Sequence, residues 1–163
     1  MNTVPGAANL EARCKGISDG VTKAGFHAEQ LPLPASSFGD KTAVTEALKA
    51  ALLKDGDIDA LVTMGNQDAD SAAIAIQQAG AQDRVKLGTF NTDQASLDRI
   101  AAGTQSFAVD QQGYLQGYLA VFLLDSYVTY GMKSPTMQIL TGPLIVDATN
   151  VQATIEGVKA GVR

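Results

Sequence analysis

Apolar residues recur along the chain with the periods of two kinds of element. Between Ala7 and Ala24, Leu10, Cys14, Ile17 and Val21 stand four, three and four residues apart, the stripe of one helical face, and Gly25 stops it. Asp40 to Lys54 repeats the pattern with Val44, Leu48, Ala51 and Leu52 inward. Further helices are predicted over Asn66 to Ala79, Asp93 to Ala102 and Gln112 to Tyr130, stopped by Gly80, Gly103 and Gly131. Between them lie short apolar runs that read as strands: Phe26 to Leu33, closed by Pro32 and Pro34, then Ile58 to Met64, Val85 to Phe90 and Ser106 to Val109. Ile58 to Met64 is broken only by Asp59 and Thr63, as in a strand buried on both faces of a parallel sheet. After Pro135 come two extended pieces, Met137 to Leu140 and Leu144 to Val146, and a last helix from Val151.

Strands alternating with helices predict β/α units, and hence one α/β domain: a three-layer, doubly wound parallel sheet. Such a sheet normally begins with a central strand. Here Met1 to Val4 alone precede the first helix, so that strand is expected to be largely missing or supplied by another segment. Ligands of open parallel sheets bind beyond the carboxyl ends of the strands, in the loops that lead into helices. Those loops are Pro5 to Asn9, Ala35 to Gly39, Gly65 to Asp68, Phe90 to Asp93 and Asp110 to Gln112. They are rich in amides, hydroxyls and carboxylates and carry two rings, Phe38 and Phe90, a mixture that suits a polyhydroxylated guest. The same Asn, Asp and Ser residues would also serve as helix caps and turns.

Charge and composition narrow the chemistry. A net charge of -5 argues against nucleic-acid binding, which needs clustered Lys and Arg. One Cys and one His leave no disulfide framework and no Cys/His zinc site. No GxGxxG or Walker-type loop offers a phosphate cradle, so no cofactor is expected. Asn66, Asp68 and Asp70 have the spacing of a calcium loop, but Ser71 and Gln77 stand where its Gly and Glu belong; the acidic first turn of a helix explains them better. Cys14 reads as core, His27 as surface, and Gly113 with Gly117 as a site of close helix packing. The wide apolar face from Tyr114 to Leu123 is either core or a partner surface. The longest apolar stretch, Tyr118 to Leu124, is too short to span a bilayer, and no basic-then-apolar leader opens the chain.

Four segments carry a resemblance: Asn9 to Gly16, Asp59 to Gly65, Lys86 to Asn91, and Phe107 to Tyr118 with its Asp110-Gln111-Gln112-x-Tyr114-Leu115-Gln116-Gly117-Tyr118 run. In that order they resemble the C-terminal lobe of sugar-binding periplasmic proteins of the ribose-binding type, the substrate receptors of ABC importers. The resemblance covers nearly the whole chain. It implies one flavodoxin-like lobe over residues 1–163, with 139–163 as the returning crossover and a helix against an absent N-terminal lobe. It also implies a non-enzymatic, extracytoplasmic role: reversible capture of a small sugar or polyol between two lobes, and delivery to a membrane permease. Carried onto this sequence, Phe38 would set a ring against the sugar, and Asn66 lies at or next to an amide contact. Gln111 is a polar contact with Asp110 beside it, and Arg13 is a cleft arginine with Glu11, within one turn, as its rival. The family usually has Asp where this chain has Asn91, which changes the donor and acceptor pattern offered to the ligand. The effector domain of a lactose-repressor-type regulator is the alternative, and a small α/β enzyme using Asp68, Asp70 or Asp93 a third reading. A bare central sheet and the face around Tyr118 and Phe122 predict that the chain by itself associates, for example as a homodimer.

Overall fold

A computed structural model describes residues 2, 4–134 and 136–163 of the chain. Its elements are α1 (Ala8–Lys23), α2 (Lys41–Lys54), β1 (Ala60–Thr63), α3 (Asn66–Gln78), β2 (Lys86–Phe90), α4 (Gln94–Ala101), β3 (Phe107–Asp110), α5 (Gly113–Tyr130), β4 (Leu144–Asp147) and α6 (Val151–Lys159). A single 3-10 turn at Ala35–Ser37 precedes α2.

The four strands form one sheet in the order β1-β2-β3-β4. The first three are parallel, as the alternation predicts. The fourth departs from that expectation: β4 runs antiparallel to β3, with Ala108 opposite Val146 and Asp110 opposite Leu144. A parallel partner needs a crossover helix laid on the sheet. Helix α5 buries Ser126 alone and packs extensively on no other element, so the chain returns from outside and pairs head-on.

Residues alternate between the two faces of the sheet, and the register shows which face is which. Leu61, Thr63, Leu87, Thr89, Ala108 and Val146 share one face. There Leu87 joins Val44, Leu48 and Leu52 of α2 and Ala72, Ala75 and Ile76 of α3 in one apolar cluster. Alanines on α3 let α2 come close, and Asp40 caps α2 by accepting from the Ala43 amide at 3.0 Å. A second cluster joins Leu97 and Ile100 of α4, Ala108, Val146, and Val151 and Ile155 of α6. The helix from Val151, expected against an absent lobe, therefore buries its apolar stripe within this lobe; its exposed side is what remains for any other contact.

The opposite face carries Val62, Gly88, Phe90, Phe107, Val109 and Ile145 and is thinly covered; Ile145 stays 47% exposed. The Phe107 ring lies directly on Gly88, where a Cβ would overlap it. Helix α1 has no fully buried residue; its predicted stripe of Leu10, Cys14, Ile17 and Val21 is half-buried. Thus the third layer of the expected three-layer fold is sparse. Among the described residues, the strand expected over Phe26 to Leu33 forms no ladder: Pro32 bridges Asn2 in parallel. Prolines at 32 and 34 remove two ladder donors, and the segment's contribution is apolar, through Leu31 and Leu33. Of the remnant first strand at Met1 to Val4, Met1 and Thr3 lie outside the described residues. Met137 to Leu140 is irregular and not a strand.

Candidate functional site

Three strand ends build the site. Thr63 closes β1 and Thr89 stands one residue before the end of β2, with their hydroxyls 2.7 Å apart, and each hydroxyl lies 3.1 Å from the Gly65 carbonyl oxygen. One hydroxyl donates to the other, which donates on to that carbonyl. This knits the loop after β1 to the loop after β2. Asn66 then donates to the Asp93 carboxylate at 3.0 Å, whose other oxygen caps α4 by accepting from the Ser96 amide at 2.8 Å. Asn66 thus ties two loops together and is half-buried.

Asn91 follows Phe90 in the left-handed region at φ 70, a conformation Asn tolerates better than most side chains. Its amide hydrogen bonds to the Val109 carbonyl at 2.9 Å, and its side-chain oxygen accepts from the Gln111 side chain. Opposite them, Arg13 reaches down from α1. Its Nη1 donates to the Met64 carbonyl at 2.7 Å, and its guanidinium lies 4.8 Å from the centroid of the Phe90 ring. Such stacking fixes the plane of the guanidinium while leaving other N–H groups to donate.

Arg13, Phe90 and Gln111 line one open cavity of about 320 Å³, together with Val109, Gln116 and the returning segment Ile139–Pro143. Of the residues expected at the site, Arg13, Phe90 and Gln111 line this cavity; Asn91 touches it only through Gln111, and Asn66 does not line it. The returning segment was not expected as part of the wall. Phe38 does not line the cavity; it is 62% exposed in the loop after the 3-10 turn. Glu11 also lies apart, accepting from the Asn2 side chain at 3.0 Å and the Gly6 amide at 3.1 Å. Of the two rivals on α1, Arg13 is the one that faces the cavity. Asp110 is buried beside Gln111, with both carboxylate oxygens engaged: Arg163 donates to one at 2.9 Å and the Gln112 amide to the other at 2.7 Å.

The remaining candidates resolve into structural roles. Asp70 binds Lys41 at 3.1 Å and Arg99 at 2.9 Å; burial works against its charge, but these two donors outweigh it and hold its carboxyl below the usual range. Burial pushes the Cys14 thiol up, the opposite of what a nucleophile needs. His27 is exposed. Gly113 and Gly117 face open space, which corrects the expectation of close helix packing there. Among the described residues no group of three His, Cys, Asp or Glu could hold a metal ion, and no helix is long and apolar enough to cross a membrane.

The family described as "Periplasmic binding protein domain" matches residues 1–133. The chain belongs to the periplasmic binding protein family. A search of the curated proteins finds no match. Among solved structures, the chain is similar to a carbohydrate transporter from Acidothermus cellulolyticus in complex with myo-inositol. That likeness has 31% identity and a TM-score of 0.76, covering 94% of this chain and 51% of that one. It is also similar to a periplasmic ribose ABC transporter from Conexibacter woesei, at 18% identity and a TM-score of 0.77, covering 97% and 52%. A Caulobacter myo-inositol binding protein, bound to myo-inositol, shares 22% identity at a TM-score of 0.69, covering 86% and 48%. The chain spans about half the length of these structures. The periplasmic-binding-protein lobe is thus the fold, and the strand-end cavity lies where an open α/β sheet places its ligands.

Proposed function

We propose that the chain is one lobe of a two-lobed, extracytoplasmic solute receptor that captures a cyclic polyol or monosaccharide and presents it to an ABC permease. One observation carries the reading: Arg13 stacked on Phe90, and Gln111, whose side chain is held by Asn91, line a single cavity at the carboxyl ends of the parallel strands. The cavity volume of about 320 Å³ falls at the lower end of the roughly 300–1,000 Å³ of small-molecule sites. Its chemistry matches neighbouring hydroxyls. Guanidinium N–H groups donate to them, and the Gln111 amide, held by Asn91, both donates and accepts. The myo-inositol in the 31%-identical relative supports a cyclitol as the first ligand to try.

Binding by this chain alone is expected to be weak, because closure of a second lobe would supply further contacts and exclude water. Titration of the isotope-labelled chain with myo-inositol, ribose and arabinose, followed by amide NMR shifts, tests the reading. Shifts concentrated at Arg13, Phe90, Asn91 and Gln111, and reduced in Arg13→Ala, are expected. If every polyol leaves these resonances unmoved up to its solubility limit, the reading fails. Helix α5 belongs to the same picture. Its rings Tyr114, Tyr118 and Phe122 stack in a ladder at 6.2 Å spacing and are half-exposed. A second lobe would cover them in the whole receptor, and in the chain by itself a second copy would.

A further inference from the structure

The root of α5 is held by a group that touches no part of the cavity. We propose that Arg163 is a positioning residue: through its ion pair with Asp110 it fixes the turn that aims Gln111 into the cavity and sets the direction in which α5 leaves the lobe. Only the role given to Gln111 rests on the proposed function.

The end of α6 brings Arg163 to this place. Gly161 adopts φ 70, and the Gly161 and Val162 amides bond to the Val158 and Gly157 carbonyls, each at 3.0 Å. This Schellman arrangement turns the chain back over its own helix. The stem of Arg163 then lies against Gly157, where a Cβ would stand 3.3 Å from its Cδ. Its Nε reaches Asp110 Oδ2 at 2.9 Å, with side chains 22% and 5% exposed. Among the described residues, Arg163 Nη2 is buried without a hydrogen-bond partner, so the guanidinium depends on Asp110 for its compensation.

Asp110 is the last residue of β3, and the turn from it into α5 is conformationally demanding. Gln112, a non-glycine, sits at φ 56 as the N-cap of α5. The Asp110 Oδ1 bond to the Gln112 amide stabilises that left-handed turn. Two cross-links bind the outgoing strand to the returning one: Gln112 Nε2 to the Thr141 carbonyl at 2.5 Å, and Thr141 Oγ1 to the Gln111 carbonyl at 3.0 Å. The strands are close here, since a Cβ on Gly142 would lie 3.0 Å from the Asp110 carbonyl oxygen. One carboxylate therefore joins α6, the end of β3 and the start of α5. Swinging it free would release Gln111 and Gln112 together.

Hydrogen exchange of the whole chain, read by mass spectrometry, tests this. In Arg163→Met, peptides covering 110–116 and 141–146 should exchange about tenfold faster, the loss expected for one charged hydrogen bond, while α2 and α3 keep their rates. Arg163→Lys, which restores a cation within reach of Asp110, should return those peptides to near wild-type rates. Asp110→Asn keeps an acceptor for the Gln112 amide but removes the pair, and should show the same local acceleration; it carries the comparison if Arg163→Met does not fold. Unchanged rates at 110–116, acceleration spread evenly over α2 and α3, or failure of Arg163→Lys to restore them would overturn the proposal. No ligand enters this measurement. A chain that binds no polyol yet shows the local signature would defeat the proposed function and leave the positioning role standing.

Discussion

Helices α2 and α5 are both apolar by composition, yet they meet opposite fates. Helix α2 has a single stripe, Val44, Leu48 and Leu52, and all of it is buried against α3 and the sheet. Helix α5 has apolar residues all round, with Asp125 its one charged residue, and buries almost none of them. Val128 is 75% exposed while Leu48 is 0% exposed. A stripe specifies one neighbour, whereas a helix that is apolar on every side calls for neighbours on several sides. This lobe gives α5 at most the returning segment, which leaves a hollow of about 420 Å³ between them. Burial in this protein follows from what packs opposite a residue, and not from its hydrophobicity.

Mutations can break that contrast, beginning with the largest effect. Leu48→Ala should cost about 3 kcal/mol in urea unfolding, the usual range for a fully buried leucine. A cost near zero would mean that the α2–α3 core is loose. Gly88→Ala should cost about 2 kcal/mol, because the added methyl meets the Phe107 ring and that ring must shift. Pairing it with Phe107→Leu should recover part of the loss.

Asp70→Asn should cost about 1 kcal/mol at neutral pH, since it weakens the links from α3 to Lys41 and Arg99. The folded carboxyl titrates below its usual value, so its stabilisation is fully present above the unfolded pKa of about 4 and is lost as pH falls through the lower folded value. The gap between wild type and Asp70→Asn should therefore close in acid; a gap that persists would disprove the ion-pair account. The smallest effect should come from Val128→Ala, within about 0.5 kcal/mol because that side chain is mostly in solvent. Phe122→Lys on the same helix should leave unfolding equally unmoved while lowering the sedimentation-measured self-association of the chain. A loss of stability comparable to that of Leu48→Ala would show that α5 is packed after all.

Part of the candidate site was legible because those parts are local. Asn91 and Gln111 each follow a strand that the apolar run marks, and parallel neighbours bring successive strand ends side by side. Arg13 was placed at the cleft by the resemblance, but its choice over Glu11 was not readable: two residues apart, they point to opposite sides of α1, and the sequence does not say which side meets the cavity. Phe38 was placed by its ring chemistry, and the loop carries it away from the cavity. The Asp110–Arg163 pair joins residues far apart in sequence, and no local pattern signals it.

The sequence by itself determined the elements of the β/α units and the edge of the sheet where their loops gather, because periodicity, caps and glycine stops act over a few residues. Tertiary structure alone decided that β4 runs antiparallel, that α6 packs inside this lobe, and that α5 stands bare. Each of these outcomes depends on which surface is available opposite a segment, and a chain's own pattern of apolar residues does not contain its partner.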